Sequence, residues 1–192
     1  MGERKLDLEM TVAEYLAFEE RSEFRNEYFD GQIFPLDYRT PLHGLIGANA
    51  ITEIGLASRE KDWLCFNESL RIRIETTHSF LYPTLSVTYQ PQTLRHPETE
   101  SLLNPIFVLE VLSEKTEPFR HREKIECYKQ VPTLQAYCRI SPDQPLVEVF
   151  SRKDENIWEM RAYSKLEESI SLKALEAEIS IAEIYRGVEG VN

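Results

Sequence analysis

The 192-residue chain contains no apolar stretch near the ~20 residues needed to cross a bilayer as a helix. Met1 to Met10 is charged and lacks the apolar core of a signal peptide. Cysteine is scarce: Cys65, Cys127 and Cys138 are odd in number and form no CxxC pair. That usage fits a reducing cytoplasm and argues against a structural zinc site. Glycine is scarce as well, with seven residues and no Gly-rich phosphate loop among them. His43, His78, His96 and His121 show no metal-ligand spacing. Ser113 has no His/Asp partner pattern for nucleophilic catalysis. Positive charge is in deficit, with 22 Lys and Arg against 33 Asp and Glu and a net charge of −11. Phosphate contacts dominate nucleic-acid binding, so a general affinity of that kind is disfavoured. A local basic cleft remains compatible with this balance, as does a metal ion that supplies the positive charge.

What is present suits one globular domain. Hydrophobic residues make up 42% of the chain, enough for a real core. No repeat or low-complexity linker divides it, so residues 10–188 form one domain behind an N-terminal extension, 1–9. Thr11 with Glu14 has the form of a capping box and opens a helix to about Glu23. Asp30-Gly31 reads as the turn of a hairpin, and a second helix runs from Pro41 to about Arg59. Ser69 to Glu75 alternates as a strand, with Leu70, Ile72 and Ile74 against Arg71, Arg73 and Glu75. Phe80 to Tyr89 is a strand candidate broken by Pro83. Thr116 caps a helix that must stop before Pro132. Strands at 135–140, 146–151, 157–163 and 169–172 and a short helix at 181–185 complete the pattern. The class is α/β or α+β. Trp63, Trp158, Tyr137 and Phe150 read as core rather than as a base-stacking platform.

One residue breaks the hydrophobic logic. Glu110 lies inside Pro105-Ile-Phe-Val-Leu-Glu-Val-Leu-Ser113, the most apolar run of the chain. Such runs are buried strands, where a carboxylate is costly unless it is paired, hydrogen-bonded or bound to a metal. The helix that follows carries Arg120, Lys124 and Tyr128 at spacings of four, along one face. Lys124 can therefore point back at Glu110. A carboxylate that binds a divalent cation, beside a lysine, is a minimal kit for phosphodiester hydrolysis. A core ion pair of Glu110 with Lys124 or Arg71 is the structural alternative.

Ordered motifs extend this reading. They include Met10-Thr-Val-Ala-Glu-Tyr-Leu16, Asn26-Glu-Tyr-Phe-Asp-Gly-Gln-Ile33, Leu42-His-Gly-Leu-Ile46 and Glu68-Ser-Leu-Arg-Ile-Arg73. Leu81-Tyr-Pro83, Leu102-Leu-Asn-Pro105, Leu109-Glu-Val-Leu-Ser113 and Glu123-Lys-Ile-Glu-Cys-Tyr128 follow. Val131-Pro-Thr-Leu-Gln135 and Ala182-Glu-Ile-Tyr-Arg-Gly187 complete the set. In this order the chain resembles the Uma-type restriction-endonuclease family, a branch of the PD-(D/E)xK nuclease superfamily. The resemblance implies a mixed central sheet flanked by helices. It implies a site of an aspartate after the Tyr-Pro strand, the glutamate Glu110 and a migrated lysine, Lys124. Leu112 holds the superfamily's usual lysine place. Glu27 matches a supporting glutamate near the first hairpin, and His43 and Glu68 match further polar positions. Mg²⁺ or Mn²⁺ as cofactor, DNA as partner and a homodimer are implied in the same way.

Two positions depart from that pattern. Thr84 stands where the aspartate belongs, and a neutral hydroxyl is a poor ligand for a hard divalent cation. Arg120 replaces an acidic residue one turn before Lys124, which favours holding a phosphate there rather than a metal. Glu27, Glu68 and Glu75 are the substitute ligands that strand order offers. The resemblance thus implies a metal-dependent DNA endonuclease. The departures add a second expectation, a non-catalytic nuclease-fold protein that binds nucleic acid or a partner protein.

Overall fold

The computed structural model describes residues 6–36, 40–59, 61–89, 93–96, 99–112 and 118–190. The chain starts with β1 (Leu6–Glu9), α1 (Val12–Glu19) and the hairpin β2 (Asn26–Phe29) and β3 (Gln32–Pro35). Next come α2 (Pro41–Ser58), β4 (Trp63–Asn67), β5 (Ile72–Ile74), β6 (Ser79–Leu81) and β7 (Leu85–Tyr89). A hairpin of β8 (Thr93–His96) and β9 (Thr99–Leu102) precedes β10 (Phe107–Val111) and α3 (Pro118–Lys129). The last part holds β11 (Ala136–Ile140), β12 (Val147–Asp154), β13 (Ile157–Tyr163), β14 (Ser169–Leu172), β15 (Ala177–Ser180) and α4 (Ile181–Ile184). Among the described residues, no helix is long and apolar enough to cross a membrane.

Local chemistry explains the boundaries. Thr11 caps α1: its hydroxyl accepts the Glu14 N–H at 3.3 Å, and the Glu14 carboxylate takes the Thr11 N–H at 2.8 Å. The helix stops at Glu19, four residues short of the sequence expectation. There the Glu19 carboxylate accepts the Asn26 backbone N–H and side-chain amide, at 3.0 and 2.9 Å, and anchors the chain entering β2. Asp30 and Gly31 turn the hairpin with φ of 44° and 83°, the two left-handed residues that a tight primed turn demands. Pro83 divides the expected strand at 80–89: β6 lies in one sheet and β7 in another. The strand expected over 69–75 shrinks to β5, because Ser69 and Leu70 belong to a turn. Thr116, the expected cap of α3, lies outside the described residues.

The strands form two mixed sheets and a separate hairpin, which with the helices make the mixed α+β class that the sequence indicates. The first has the order β1-β3-β2-β6-β5-β9-β8, the second β13-β12-β11-β10-β7-β4. The expected N-terminal extension thus contributes β1, paired with β3. Strand parity assigns the faces. Phe107, Leu109 and Val111 of β10 join the core beneath α2, α4 and the β14–β15 hairpin. Val108 points the other way, into a second core with Tyr137 of β11, Ile125 and Tyr128 of α3, and Ile72 and Leu81 of the first sheet. Helix α3 therefore packs between the two sheets. The far side of the first sheet carries Tyr28, Ile33 and Phe80 against Tyr15 and Leu16 of α1. Leu109→Ala is expected to cost about 2–5 kcal/mol in urea unfolding, as a deletion in a core that cannot collapse. Leu64→Ala, at an exposed strand position, should stay within about 1 kcal/mol.

Candidate active site

Glu110 shares the parity of Val108, so its side chain enters the layer that holds α3. Glu27 alternates with Tyr28, which faces α1, and so enters the same layer from the opposite sheet. Lys124 meets both. Its Nζ lies 2.9 Å from Glu27 Oε1 and 3.3 Å from Glu110 Oε1. The sequence expectation that Lys124 points back at Glu110 describes this geometry. Glu27 is fully buried and Glu110 is 5% exposed, so the three groups share a largely dry space.

Further bonds hold each carboxylate. Tyr128, one turn beyond Lys124, donates its hydroxyl to Glu110 Oε1 at 2.9 Å. Tyr137 donates to Oε2 at 3.2 Å. Burial pushes both phenols well above their ordinary range, and the Glu110 charge adds to the effect, so both remain protonated donors. The Tyr82 N–H donates to Glu27 Oε1 at 3.2 Å. Burial also raises the Glu27 carboxyl; Lys124 pulls it down and Glu110 pushes it up, with a net upward direction.

Thr84 sits at the mouth of β7, 6% exposed. Its Oγ1 accepts the Val111 N–H at 3.1 Å, so the hydroxyl serves the backbone beside Glu110. Helix α2 presses on it from outside: a Cβ at Gly47 would lie 3.1 Å from Thr84 Cγ2, and glycine permits this approach. His43, in the first turn of α2, places Nε2 3.0 Å from the Val111 carbonyl. A carbonyl only accepts, so this nitrogen carries a proton.

The other expected residues divide. Arg120 lies on α3, but its side chain falls outside the described residues. Glu68 is part-buried in the turn after β4, and its carbonyl accepts the Arg25 guanidinium. Glu75 is exposed just past β5. Tyr137 and the Tyr82 amide were missed as site groups. Tyr137 read only as a core aromatic, and a backbone amide leaves no sequence signal. Tyr128 was legible from its spacing to Lys124.

The donor set does not fit a resident Mg²⁺ or Mn²⁺. Such ions take several oxygens, with anionic ones leading. Here Glu110 Oε1 already accepts from Tyr128 and Lys124, and Oε2 from Tyr137. Thr84 offers a neutral oxygen engaged with Val111. Among the described residues, no group of three or more His, Cys, Asp or Glu side chains is arranged to hold a metal ion. Lys124 already supplies a cation between Glu27 and Glu110.

Because the folded Glu27 carboxyl is raised above 4.5, its ionisation favours the unfolded chain. Its contribution to stability is complete below that value and is lost as pH rises through the folded pKa. Glu27→Gln cannot ionise. The unfolding free energy of the parent minus that of Glu27→Gln should therefore fall as pH climbs from about 4 toward neutrality. Guanidinium unfolding across a pH series reads this difference; a rise would mean that pairing with Lys124 outweighs burial.

Comparison with known proteins agrees with this architecture. The model of the Uma2 family, described as putative restriction endonuclease, matches residues 12–183. An uncharacterized protein of Synechocystis is 29% identical over 179 residues, 93% of each chain. A second from the same organism is 26% identical over 149 residues, covering 78% of this chain and 84% of the other. A crystal structure of a putative nuclease belonging to DUF820, from Anabaena variabilis, superposes with a TM-score of 0.74. It covers 92% of this chain and 97% of its own at 21% identity, a likeness of fold. On the match across residues 12–183, this chain belongs to the Uma2 family of putative restriction endonucleases.

Proposed function

We propose that this chain is a nuclease-fold protein that engages DNA and has lost efficient phosphodiester hydrolysis. One observation carries the reading. Where the family resemblance calls for an aspartate, the Thr84 hydroxyl accepts the Val111 N–H. A neutral, already engaged oxygen replaces one of two anchoring carboxylates. Lys124, paired with Glu27 and Glu110, acts as the internal counter-ion of the site. Its ammonium neutralises part of their charge and fixes Glu110 in place with Tyr128 and Tyr137. Family membership supports nucleic acid as the partner. The net charge of −11 confines that contact to a local surface and makes it sensitive to salt.

A second reading has its own observation. Two carboxylates, Glu27 and Glu110, still converge on one point at the Lys124 ammonium. In that reading the chain is a divalent-ion-dependent DNA endonuclease with Glu27 in place of the aspartate.

Incubation with supercoiled plasmid in Mg²⁺ or Mn²⁺ separates the two. The parent should leave the plasmid intact, and Thr84→Asp should gain nicking. A labelled duplex should bind the parent in fluorescence anisotropy, with affinity that falls as salt rises. Cleavage by the parent that Glu110→Gln and Glu27→Gln both abolish would establish the endonuclease. Absence of duplex binding would overturn DNA as the partner.

A further inference from the structure

Strand β13 ends the second sheet and pairs with β12 on one side only. With seven residues it is the longest sheet-edge strand among the described residues. Only Tyr163 is buried along it, and Ile157 and Met160 are 60% and 53% exposed. An uncovered edge is a row of backbone donors and acceptors ready for another strand. Charged side chains commonly blunt such edges, and β13 carries Glu159 and Arg161. That protection works where an incoming strand brings like charge.

A second copy of β13 brings the opposite charge. In an antiparallel ladder, residues directly opposite each other point to the same face. Two copies related by a two-fold axis therefore meet only in registers centred on a residue. Centring on Met160 sets Glu159 of each copy against Arg161 of the other. It sets Ile157 against Tyr163, Trp158 against Ala162, and Met160 against Met160. Every pair then matches apolar with apolar or acid with base, the pairings that stabilise a ladder. A centre at Glu159 would oppose two acids, and a centre at Arg161 two bases. The neighbouring strand supports both faces of the seam. Phe150 of β12 stands beside Met160 and extends the apolar side. On the other face Lys153 Nζ lies 2.5 Å from Glu159 Oε2, so base, acid and base alternate across the seam.

We propose that β13 is a self-association edge, which pairs antiparallel with β13 of a second copy in the register centred on Met160. Two six-stranded sheets become one continuous sheet. The net charge of −11 opposes contact between two copies over most of their surface. Along β13 one acid and one base balance, so that repulsion is absent from the seam. Backbone hydrogen bonds supply the affinity, and the side-chain pairs fix the register. The two-fold axis stands perpendicular to the joined sheet, so both copies carry α3 on the same side. The seam lies three strands from Glu110 and is independent of the fate of hydrolysis.

Sedimentation equilibrium of the full chain over a concentration series tests the assignment. The parent should form a dimer. Glu159→Arg alone and Arg161→Glu alone set like charges opposite each other. Each should raise the dimer dissociation constant about tenfold or more. Both positions are exposed, so the fold does not depend on them. An equal mixture of the two variants should restore the dimer, because each then meets its opposite in the other. A parent that stays monomeric at every concentration would overturn the proposal. So would a dimer that the single variants leave unchanged, or a mixture that associates no better than either variant alone.

Discussion

The ammonium of Lys124 between two buried carboxylates is the interaction on which the centre of this molecule depends. Glu27 comes from β2 of one sheet, Glu110 from β10 of the other, and Lys124 from the helix between them. Each charge alone would be expensive in a core. Together they tolerate burial because the lysine pairs with both acids and two phenols satisfy Glu110 further. Removing one member of such a buried set typically costs about 3–5 kcal/mol, because its partners are left uncompensated. The same contact ties the two sheets to the helix between them.

This gives the Thr84 substitution its meaning. A divalent ion would have to compete with Lys124 for Glu110, and an aspartate at position 84 would have helped it do so. Threonine instead bonds the Val111 amide, while His43 bonds the Val111 carbonyl. The backbone beside Glu110 is thus held by Thr84, just before β7, and by His43 of α2. The centre is arranged to hold its own shape. The chain keeps the fold of a family described as putative restriction endonucleases.

Much of the site could be read from particular residues. Glu110 announced itself as a charge in an apolar run, and Lys124 and Tyr128 followed from one helical face. Glu27 had no such signal. Its strand is four residues long, and only the family resemblance drew attention to it. Arg71 is buried although it stands opposite the apolar residues of its alternating strand. Alternation assigns opposite faces but cannot say that both are covered; α1 covers one side of the first sheet and α3 the other. The short strands β4, β8, β9 and β15 carried too little pattern to be seen. The two-sheet layout follows from Pro83, whose strand-breaking effect was legible although its consequence, a change of sheet, was not.

We propose that Lys124 stands where a metal ion would in this centre. Calorimetric titration of Mn²⁺ into the purified protein, beside Glu110→Gln, tests it most directly. No saturable heat is expected in either protein. A saturable site in the parent that disappears in Glu110→Gln would contradict it, because other ligands would then be completing the set that Thr84 leaves open.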